Sequence, residues 1–442
     1  MKDLTKGKPS TLILSFALPV FLGNLLQLTY SLADTRIVGS FLKEDALAAV
    51  GATSPLSGLI IGFLMGLANG FAIVTAQKFG AGNREEVRKS FALSLVMGSV
   101  ISLILTVLGL LFLHPILRFL NVPDHLTGTA RQYIFIIIAG MLATFLYDTC
   151  AASLRALGDT VTPLVILAVS VTLNIAGDLF FILVVKAGVQ GAAVATVLSQ
   201  TLAFLICWFY MIRRYEILRL KKEDFFGLER NMMKNMLSAG LSMGLVSSLV
   251  NLGTLILQTG INTLGTSVIV AHTAARKVFE IWGLPVTVLG ATMATYSGQN
   301  YGAGKYERIR RGILVCNGIA AAVLVVLSWS ALAAGNWILS AFCPDQQVVA
   351  EGMRIISVTF PVYFVYSLFE VTGGVVRGIG KSVPSMVIVI VNLCVIRILM
   401  LEISDRVFHS VQAVAAVYPL TWLMATLSFV GYYLYVRKQM LQ

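Results

Sequence analysis

The chain has 442 residues, of which 57% are hydrophobic and only 12% charged, and its formal net charge is +12. A water-soluble chain of this length would carry about twice that share of charged residues, so the composition excludes an ordinary set of soluble domains. The excess of Lys and Arg does not require a nucleic-acid partner, because basic loops also face the anionic lipids of a cytoplasmic membrane surface.

Twelve apolar stretches are each long enough to cross a bilayer as a helix. We predict these spans at 11–38, 47–76, 90–113, 131–153, 161–185, 189–212, 235–260, 267–296, 312–334, 349–373, 383–403 and 411–436. The longest polar segment, 213–234, is a basic cytoplasmic linker between an N-lobe (1–212) and a C-lobe (235–442). The predicted fold is an all-α integral membrane protein with twelve transmembrane helices in two six-helix bundles.

Lys and Arg are distributed unevenly between the two sides of this predicted bundle. With the N-terminus in the cytoplasm, 23 of the 33 basic residues fall on the cytoplasmic side and six on the opposite side. Cytoplasmic loops of membrane proteins carry the excess of Lys and Arg. We therefore predict a multi-pass protein of the plasma (inner) membrane with both termini in the cytoplasm.

The first span carries a proline near its middle and a row of polar residues. Asn24, Gln27, Ser31 and Asp34 follow the spacing i, i+3, i+7, i+10, so they share one helical face. In lipid that face must point into protein or a water-filled cavity, and an acid inside a span is a functional candidate by default. We expect Asp34 at a cation site and the other three along a substrate cavity. Pro19 removes a backbone hydrogen bond and permits a bend, either static or linked to gating.

The fourth to sixth spans add further oxygen ligands. Asn174 and Asp178 lie one turn apart on the fifth span, Thr196 is on the sixth and Tyr133 on the fourth. Carboxylates, an amide and a hydroxyl suit Na⁺, a hard cation. Two carboxylates in a low dielectric do not both stay ionised easily, so the same group also suits a proton. The alternative is that Asp34 pairs with a fixed base and only locks helices.

The two halves of the chain repeat with a single offset of 222 residues. QKFGAGNREEVRKS (77–90) matches QNYGAGKYERIRRG (299–312), and LRALGDT (154–160) matches VRGIGKS (376–382). A six-helix repeat keeps the same orientation in both copies, so its pseudo-twofold axis runs along the membrane normal. The glycines of these loops favour tight turns with positive φ, with a gating role as the alternative.

The polar residues of the fifth and first spans break this repeat. Their counterparts in the second half are apolar: Ile256 for Asp34, Met400 for Asp178 and Ile396 for Asn174. A residue that the fold requires should be present in both copies. Polar residues found in one copy only are therefore better candidates for a functional site.

Two further acids occupy corresponding positions in the two halves. Asp148 and Glu370 differ by 222 residues, and each lies seven residues before a loop arginine. Retention in both copies favours a structural role near the cytoplasmic end, paired with basic residues. The alternative is that both line the substrate cavity.

The second half also has charged residues without a charged counterpart in the first half. Glu280 lies one turn after Arg276, and an ion pair and a substrate contact are both open for it. Arg397 corresponds to Ile175 and is a candidate counter-ion for Glu402.

Sequence motifs of soluble enzyme chemistry are missing. The chain has no P-loop, no GxSxG, no HExxH and no Cys/His spacing of a metal site. We therefore expect a transporter rather than a membrane-embedded enzyme or a bare scaffold. It would need no cofactor besides a transported Na⁺ or H⁺. Its expected partners are small amphiphilic molecules and lipid, without nucleic acid, and we expect a monomer.

Several of these motifs together resemble the multidrug and toxic compound extrusion (MATE) family of the MOP flippase superfamily. They are the ALP of 17–19, the VG that follows Asp34, the ALAAVG of 46–51, the two QxxGAG loops and LRALGDT. The resemblance implies two six-helix lobes forming a V with a central cavity. It also implies export of amphiphilic, often cationic, compounds in exchange for Na⁺ or H⁺.

By the same resemblance, the coupling cation would bind at the positions of Asp34, Asn174, Asp178 and Thr196, with Tyr133 nearby, and the helix would bend at Pro19. The alternative function is a flippase for lipid-linked precursors with the same superfamily shape. Such a protein would have a more basic cavity, to accept pyrophosphate.

Overall fold

The computed structural model describes residues 2–42, 44–225, 229–261, 266–408 and 410–440, and the side chains of residues 250–266, 342, 405, 406 and 408 also lie outside the described part. The described chain is almost entirely helical. Its α-helices are α1 Pro9–Phe41, α2 Glu44–Gly80, α3 Arg84–Leu111, α4 Leu113–Phe119, α5 Asp124–Ala139, α6 Met141–Ala156, α7 Val161–Leu179, α8 Gly188–Arg214, α9 Arg230–Ile261, α10 Thr266–Gly302, α11 Tyr306–Phe342, α12 Gln346–Thr359, α13 Phe364–Gly378, α14 Ser382–Ile390, α15 Arg397–Phe408 and α16 Val411–Met440.

The spans of the described residues agree with the twelve-helix prediction. Nine helical segments are long and apolar enough to cross a membrane unbroken, and two further spans are bent pairs, α5 with α6 and α12 with α13. Helix α9 occupies the position of the predicted seventh span. Short π-helical segments, Phe180–Val184 and Val391–Ile396, extend α7 and join α14 to α15.

The two bent spans break at corresponding places of the repeat. The first pair bends by 44° at Gly140 and the second by 54° around Phe360–Val362, a turn that contains Pro361. Glycine and proline are the usual causes of such bends because they weaken or interrupt the helical hydrogen-bond ladder. The bend of the fourth helix therefore belongs to the duplicated unit.

The repeated loops are turns that need glycine. Gly82 and Gly304 have φ of 76° and 69°, and Gly158 and Gly380 have φ of 80° and 84°. These left-handed conformations strain residues with a Cβ atom. The prediction of turn geometry for both loop pairs is confirmed.

The chain groups into two compact units. The first comprises Met1–Asp3 and Leu18–Ser248, and the second comprises Leu4–Ala17 and Leu249–Gln442. Helix α1 thus divides between Ala17 and Leu18, just before Pro19. The N- and C-lobe boundaries drawn from the linker stay a prediction, and residues 226–228 of that linker lie outside the described part.

Each unit buries its own apolar core. In the first unit, Leu64, Leu67 and Phe71 of α2 pack with Ile138 and Phe145 of the bent α5–α6 span. Outward faces of the long helices remain apolar, as a lipid environment requires. On α3, for example, the exposed side chains include Leu103, Ile104, Val107 and Leu108.

Candidate functional site

Four helices of the first unit bring the predicted cation-site residues together. Helix α1 supplies Asp34, α7 supplies Asn174 and Asp178, α8 supplies Thr196 and α5 supplies Tyr133. Asn174 and Asp178 are 2% and 0% exposed. The Tyr133 side chain has Asp34 and Asp178 among its charged neighbours.

The carboxyl groups of Asp34 and Asp178 lie within hydrogen-bonding reach of each other. The Oδ1 atom of each is buried and has no hydrogen-bond partner among the described residues. Two ionised carboxylates at this separation repel strongly in a low dielectric. A proton or a small cation between the oxygens would relieve this repulsion.

The amide of Asn174 can complete this arrangement in two ways. With its nitrogen toward Asp178, it donates to Asp178 Oδ2 at 3.0 Å and accepts from the Thr196 backbone N–H at 3.2 Å. In the opposite orientation Nδ2 donates to Thr196 Oγ1 at 3.3 Å, and the amide oxygen faces the carboxylate. The second orientation adds an oxygen ligand, which a bound cation would favour.

The hydroxyl of Thr196 is also free to serve as a ligand. It donates to the Ala192 carbonyl at 3.0 Å, and the bond from Asn174 Nδ2 uses one of its two lone pairs, which leaves the other for a further group. The Tyr30 hydroxyl lies 3.4 Å from the same oxygen. Sequence analysis missed Tyr30, although its position one turn before Asp34 places it on the same face of α1.

Close packing of α7 against α8 positions these ligands. A Cβ atom at Gly177 would lie only 3.0 Å from the Ala195 Cβ, so glycine lets the two helices approach beside Asp178. The π-helical turn Phe180–Val184 begins two residues after Asp178. Such turns inside helices are frequent at functional sites because they redirect the side chains around them.

A fixed ion pair does not neutralise Asp34 within the described part of the structure. Arg36, the base nearest in sequence, is exposed and forms no ion pair with Asp34. Residues two apart on a helix point in different directions. The geometry therefore does not support the alternative in which Asp34 pairs with Arg36 and only locks helices together.

The other polar residues of α1 are less buried than Asn174 and Asp178. Gln27 and Ser31 are exposed and Asn24 is half-buried. No side-chain hydrogen bond among the described residues joins them to Asp34 or Asp178. Their role in a substrate cavity stays a prediction, as does gating at Pro19, through which α1 continues as a helix.

The two symmetric acids have different surroundings. In the second unit, Arg377 Nη2 lies 3.6 Å from Glu370 Oε2. In the first unit, Arg155 Nη2 instead donates to Asn69 Oδ1 at 3.3 Å. Among the described residues Asp148 has no ion pair. Pairing with the loop arginine thus occurs for one copy only.

Two groups of charged residues lie in the second unit. Glu280 contacts both Lys277 (Nζ–Oε2, 2.9 Å) and Arg276 (Nε–Oε1, 3.5 Å). The guanidinium of Arg397 donates through Nε and Nη2 to Thr421 Oγ1, at 3.1 and 2.9 Å. Its centre lies 5.1 Å from the Tyr418 ring centroid.

The partner of Arg397 therefore differs from the sequence-based suggestion. Within the described part of the chain it forms no ion pair with Glu402. Five residues separate the two on α15, which places their side chains on different faces of the helix. The prediction of a local counter-ion at Glu402 was wrong.

Comparison with protein families gives one match that covers most of the chain. The MatE family model matches residues 19–180 and again 243–401. The two matched segments start 224 residues apart, close to the internal offset of 222. The family unit is therefore the same duplicated half that the sequence reveals.

Curated relatives cover nearly the whole chain. A probable multidrug resistance protein, YoeA of Bacillus subtilis, is 27% identical over 98% of this chain and 96% of its own length. An FAD transporter of Shewanella oneidensis is 23% identical over 91% and 90%. Among solved structures, MATE in the bent conformation superposes with a TM-score of 0.93 at 20% identity, over 99% of this chain and 97% of that one. An outward-facing MATE transporter of the MOP superfamily gives 0.92 at 20% identity, over 100% and 99%.

Proposed function

Because this chain belongs to the MatE family of membrane transporters, we propose that it exports amphiphilic organic compounds, cationic ones above all, in exchange for Na⁺ or H⁺. Relatives named for multidrug resistance support export of varied compounds. The basic cytoplasmic loops favour a plasma-membrane location with both termini in the cytoplasm. The protein would act as a monomer and without a cofactor, since the transported cation supplies the energy.

The carboxyl pair of Asp34 and Asp178 carries this proposal. Two acids from different helices, the buried Asp178 and the half-buried Asp34, face each other, and the Oδ1 atom of each has no hydrogen-bond partner among the described residues. Sodium would take these oxygens together with the Asn174 amide oxygen and the Thr196 hydroxyl, an all-oxygen set that suits a hard cation. A proton would instead be shared between the two carboxyls.

Exchange follows from the charge of this pair. A bound Na⁺ or H⁺ removes the repulsion between the carboxylates and holds α1 against α7. Loss of the cation leaves a net negative site that attracts a cationic compound. In alternating access the two ligands favour different states, so each weakens binding of the other by the same factor.

The test is export from proteoliposomes under separately imposed Na⁺ and H⁺ gradients. We expect Asp34→Asn to abolish export driven by the coupling gradient, because the pair loses the charge that a cation neutralises. Asp45→Asn, which removes an exposed acid at the start of α2, is the matched control and should behave as the wild type. Full export by Asp34→Asn would refute the site, and wild-type export that ignores both gradients would favour a facilitator or flippase.

A further inference from the structure

One face of α10 carries exposed polar side chains, beside the exposed apolar Val270 and Ile281 (37% and 36% exposed). Thr273, Lys277, Glu280 and Thr287 are all exposed, and their spacing places them along one side of the helix. The side chains of Lys277 and Glu280 are 51% and 45% exposed. A row of polar side chains at helical spacing distinguishes this face from the lipid-facing surfaces of the molecule.

The next helix shows the contrast. Exposed side chains of α11 include Val325, Val326, Trp329 and Trp337, which are large and apolar. Hydrocarbon solvates such side chains, but it does not solvate exposed charges. The polar face of α10 therefore borders water, although Lys277 lies eleven residues into the helix, about 17 Å along its axis.

The charges on this face do not cancel. Glu280 contacts two bases, Lys277 at 2.9 Å and Arg276 at 3.5 Å, so the cluster has one surplus positive charge. Lys277 is the more exposed base, and its ammonium group has three donors of which Glu280 engages one. An additional anionic group thus finds both charge and hydrogen-bond donors at Lys277.

The fold does not require these charges. Through the 222-residue offset, Arg276, Lys277 and Glu280 correspond to Ser54, Pro55 and Gly58 on α2, none of which is charged. The first unit therefore folds the equivalent helix without an ion-pair cluster. The cluster is specific to the second half, like the carboxyl pair in the first half.

We propose that Lys277, supported by Arg276, binds an acidic group of the exported compound, a carboxylate or a phosphate. This inference rests on the proposed export function and refines its substrate class to amphiphilic organic cations that also carry an acidic group beside an apolar body. Glu280 holds the Lys277 ammonium group through one donor. The acidic group of the substrate binds the remaining donors and competes with Glu280 for the positive charge.

The test compares two forms of one fluorescent xanthene dye, the free carboxylate and its methyl ester. Binding of each dye to purified protein, and its export from proteoliposomes, is measured in the same preparation. Lys277→Gln should weaken binding of the carboxylate dye about tenfold, because a charged hydrogen bond is lost, and should leave the ester unchanged. Lys277→Arg should retain the carboxylate preference, and Glu280→Gln should tighten carboxylate binding by removing the competing acid.

Arg310→Gln is the matched control, since Arg310 also forms an exposed ion pair three residues from a glutamate, Glu307, at 3.3 Å. It should leave both dyes unaffected. A third form of the dye carries a phosphate monoester in place of the carboxylate. The relative affinities of the carboxylate and phosphate forms show which acidic group the protein prefers. If the wild type exports neither dye under either gradient, the proposed function fails. If it exports them and Lys277→Gln changes both dyes equally or neither, only the inference about Lys277 fails.

Discussion

The fifth helix of each half carries a charged residue where it packs against the sixth helix. The residue is an acid in the first half and a base in the second. In the first half, Asp178 of α7 lies against α8, and its Oδ1 atom has no hydrogen-bond partner among the described residues. In the second half, Arg397 at the start of α15 lies against α16, where Thr421 accepts two of its hydrogen bonds. Each charge lies beside a π-helical segment of its own helix.

The difference shows which features the duplicated unit keeps. Loop glycines with positive φ and the bend of the fourth helix occur in both halves, because the chain path depends on them. The acids of the fourth helices, Asp148 and Glu370, are also present in both halves, whereas Asp178 and Arg397 of the fifth helices each occur in one half only. In the proposed function a mobile cation neutralises the acids of the first half, whereas a hydroxyl and an aromatic ring of the protein itself contact the base of the second half.

Exchanging residues between corresponding positions tests this comparison, and the largest effect should come from Asp178→Met. Methionine is the residue at the corresponding position 400, so the fold should accept it. For such linked sites, one ligand changes the affinity for the other about 5- to 150-fold. In Asp178→Met this factor between cation and drug should fall to one. Equilibrium drug binding across Na⁺ concentration, and across pH without Na⁺, measures it.

Met400→Leu is the control for that exchange, and it should keep the wild-type coupling because the second half has no acid there. Retained coupling in Asp178→Met would mean that the two halves do not differ in cation binding. A loss in both variants would point to packing rather than charge.

A smaller effect should come from the buried base of the second half, and it should differ between removal of the hydrogen-bond acceptor and removal of the base itself. Thr421→Val removes the oxygen that accepts from Arg397, and leaves a charged group unpaired in the interior; we expect a loss of about 2–3 kcal/mol in the free energy of unfolding. Arg397→Leu removes the charge itself and should stay within about 1 kcal/mol of the wild type. Unfolding in mixed detergent–SDS micelles measures both.

The corresponding residue of the first half provides the control for Thr421. Ser199 is buried and donates to the Thr196 carbonyl at 2.9 Å, with no charge involved. Ser199→Ala should therefore cost less than Thr421→Val, about 1 kcal/mol. Equal losses at the two positions would show that Arg397 does not depend on Thr421.

Sequence patterns were sufficient for the spans, the turns and the acids of the candidate site. Apolar length predicts helices in lipid because the backbone must bond within each helix. The i, i+4 spacing of Asn174 and Asp178, together with their apolar counterparts, singled out one face of the fifth span. The structure brings these residues to Asp34, although function at this site stays a proposal.

Partner choice could not be predicted, because it depends on neighbours from other helices. Asp148 and Glu370 have the same spacing to an arginine, yet only Glu370 pairs with it. Arg155 donates instead to the side-chain amide of Asn69 on α2. The counterpart of Asn69 is an alanine at position 291, so Arg377 has no such amide to bind. Three-dimensional contacts, not spacing, decide the difference.

The smallest predicted effect concerns the cytoplasmic loops, where Asp159 of LRALGDT corresponds to Lys381 of VRGIGKS. The half-buried Asp159 carboxylate accepts hydrogen bonds from the Thr162 backbone N–H at 3.1 Å and from the Tyr215 hydroxyl. Lys381 precedes α14 and makes no side-chain cap. Asp159→Asn should therefore reduce the free energy of unfolding by about 1 kcal/mol at neutral pH, whereas Lys381→Gln should change it by less than about 0.5 kcal/mol.

The pH dependence of that loss identifies its cause. Burial acts to raise the pKa of Asp159, but the hydrogen bonds from Thr162 and Tyr215 outweigh it and hold the pKa below its ordinary value. A carboxyl whose pKa is lower in the folded state stabilises the fold above its unfolded pKa, about 4, and loses that contribution as the pH falls through the folded value. The difference between the wild type and Asp159→Asn should thus be constant from pH 8 to about pH 5 and shrink below about pH 4. A difference that grows on acidification would show that the ionised carboxylate does not stabilise this loop, and the contrast between the two loops would then rest on shape alone.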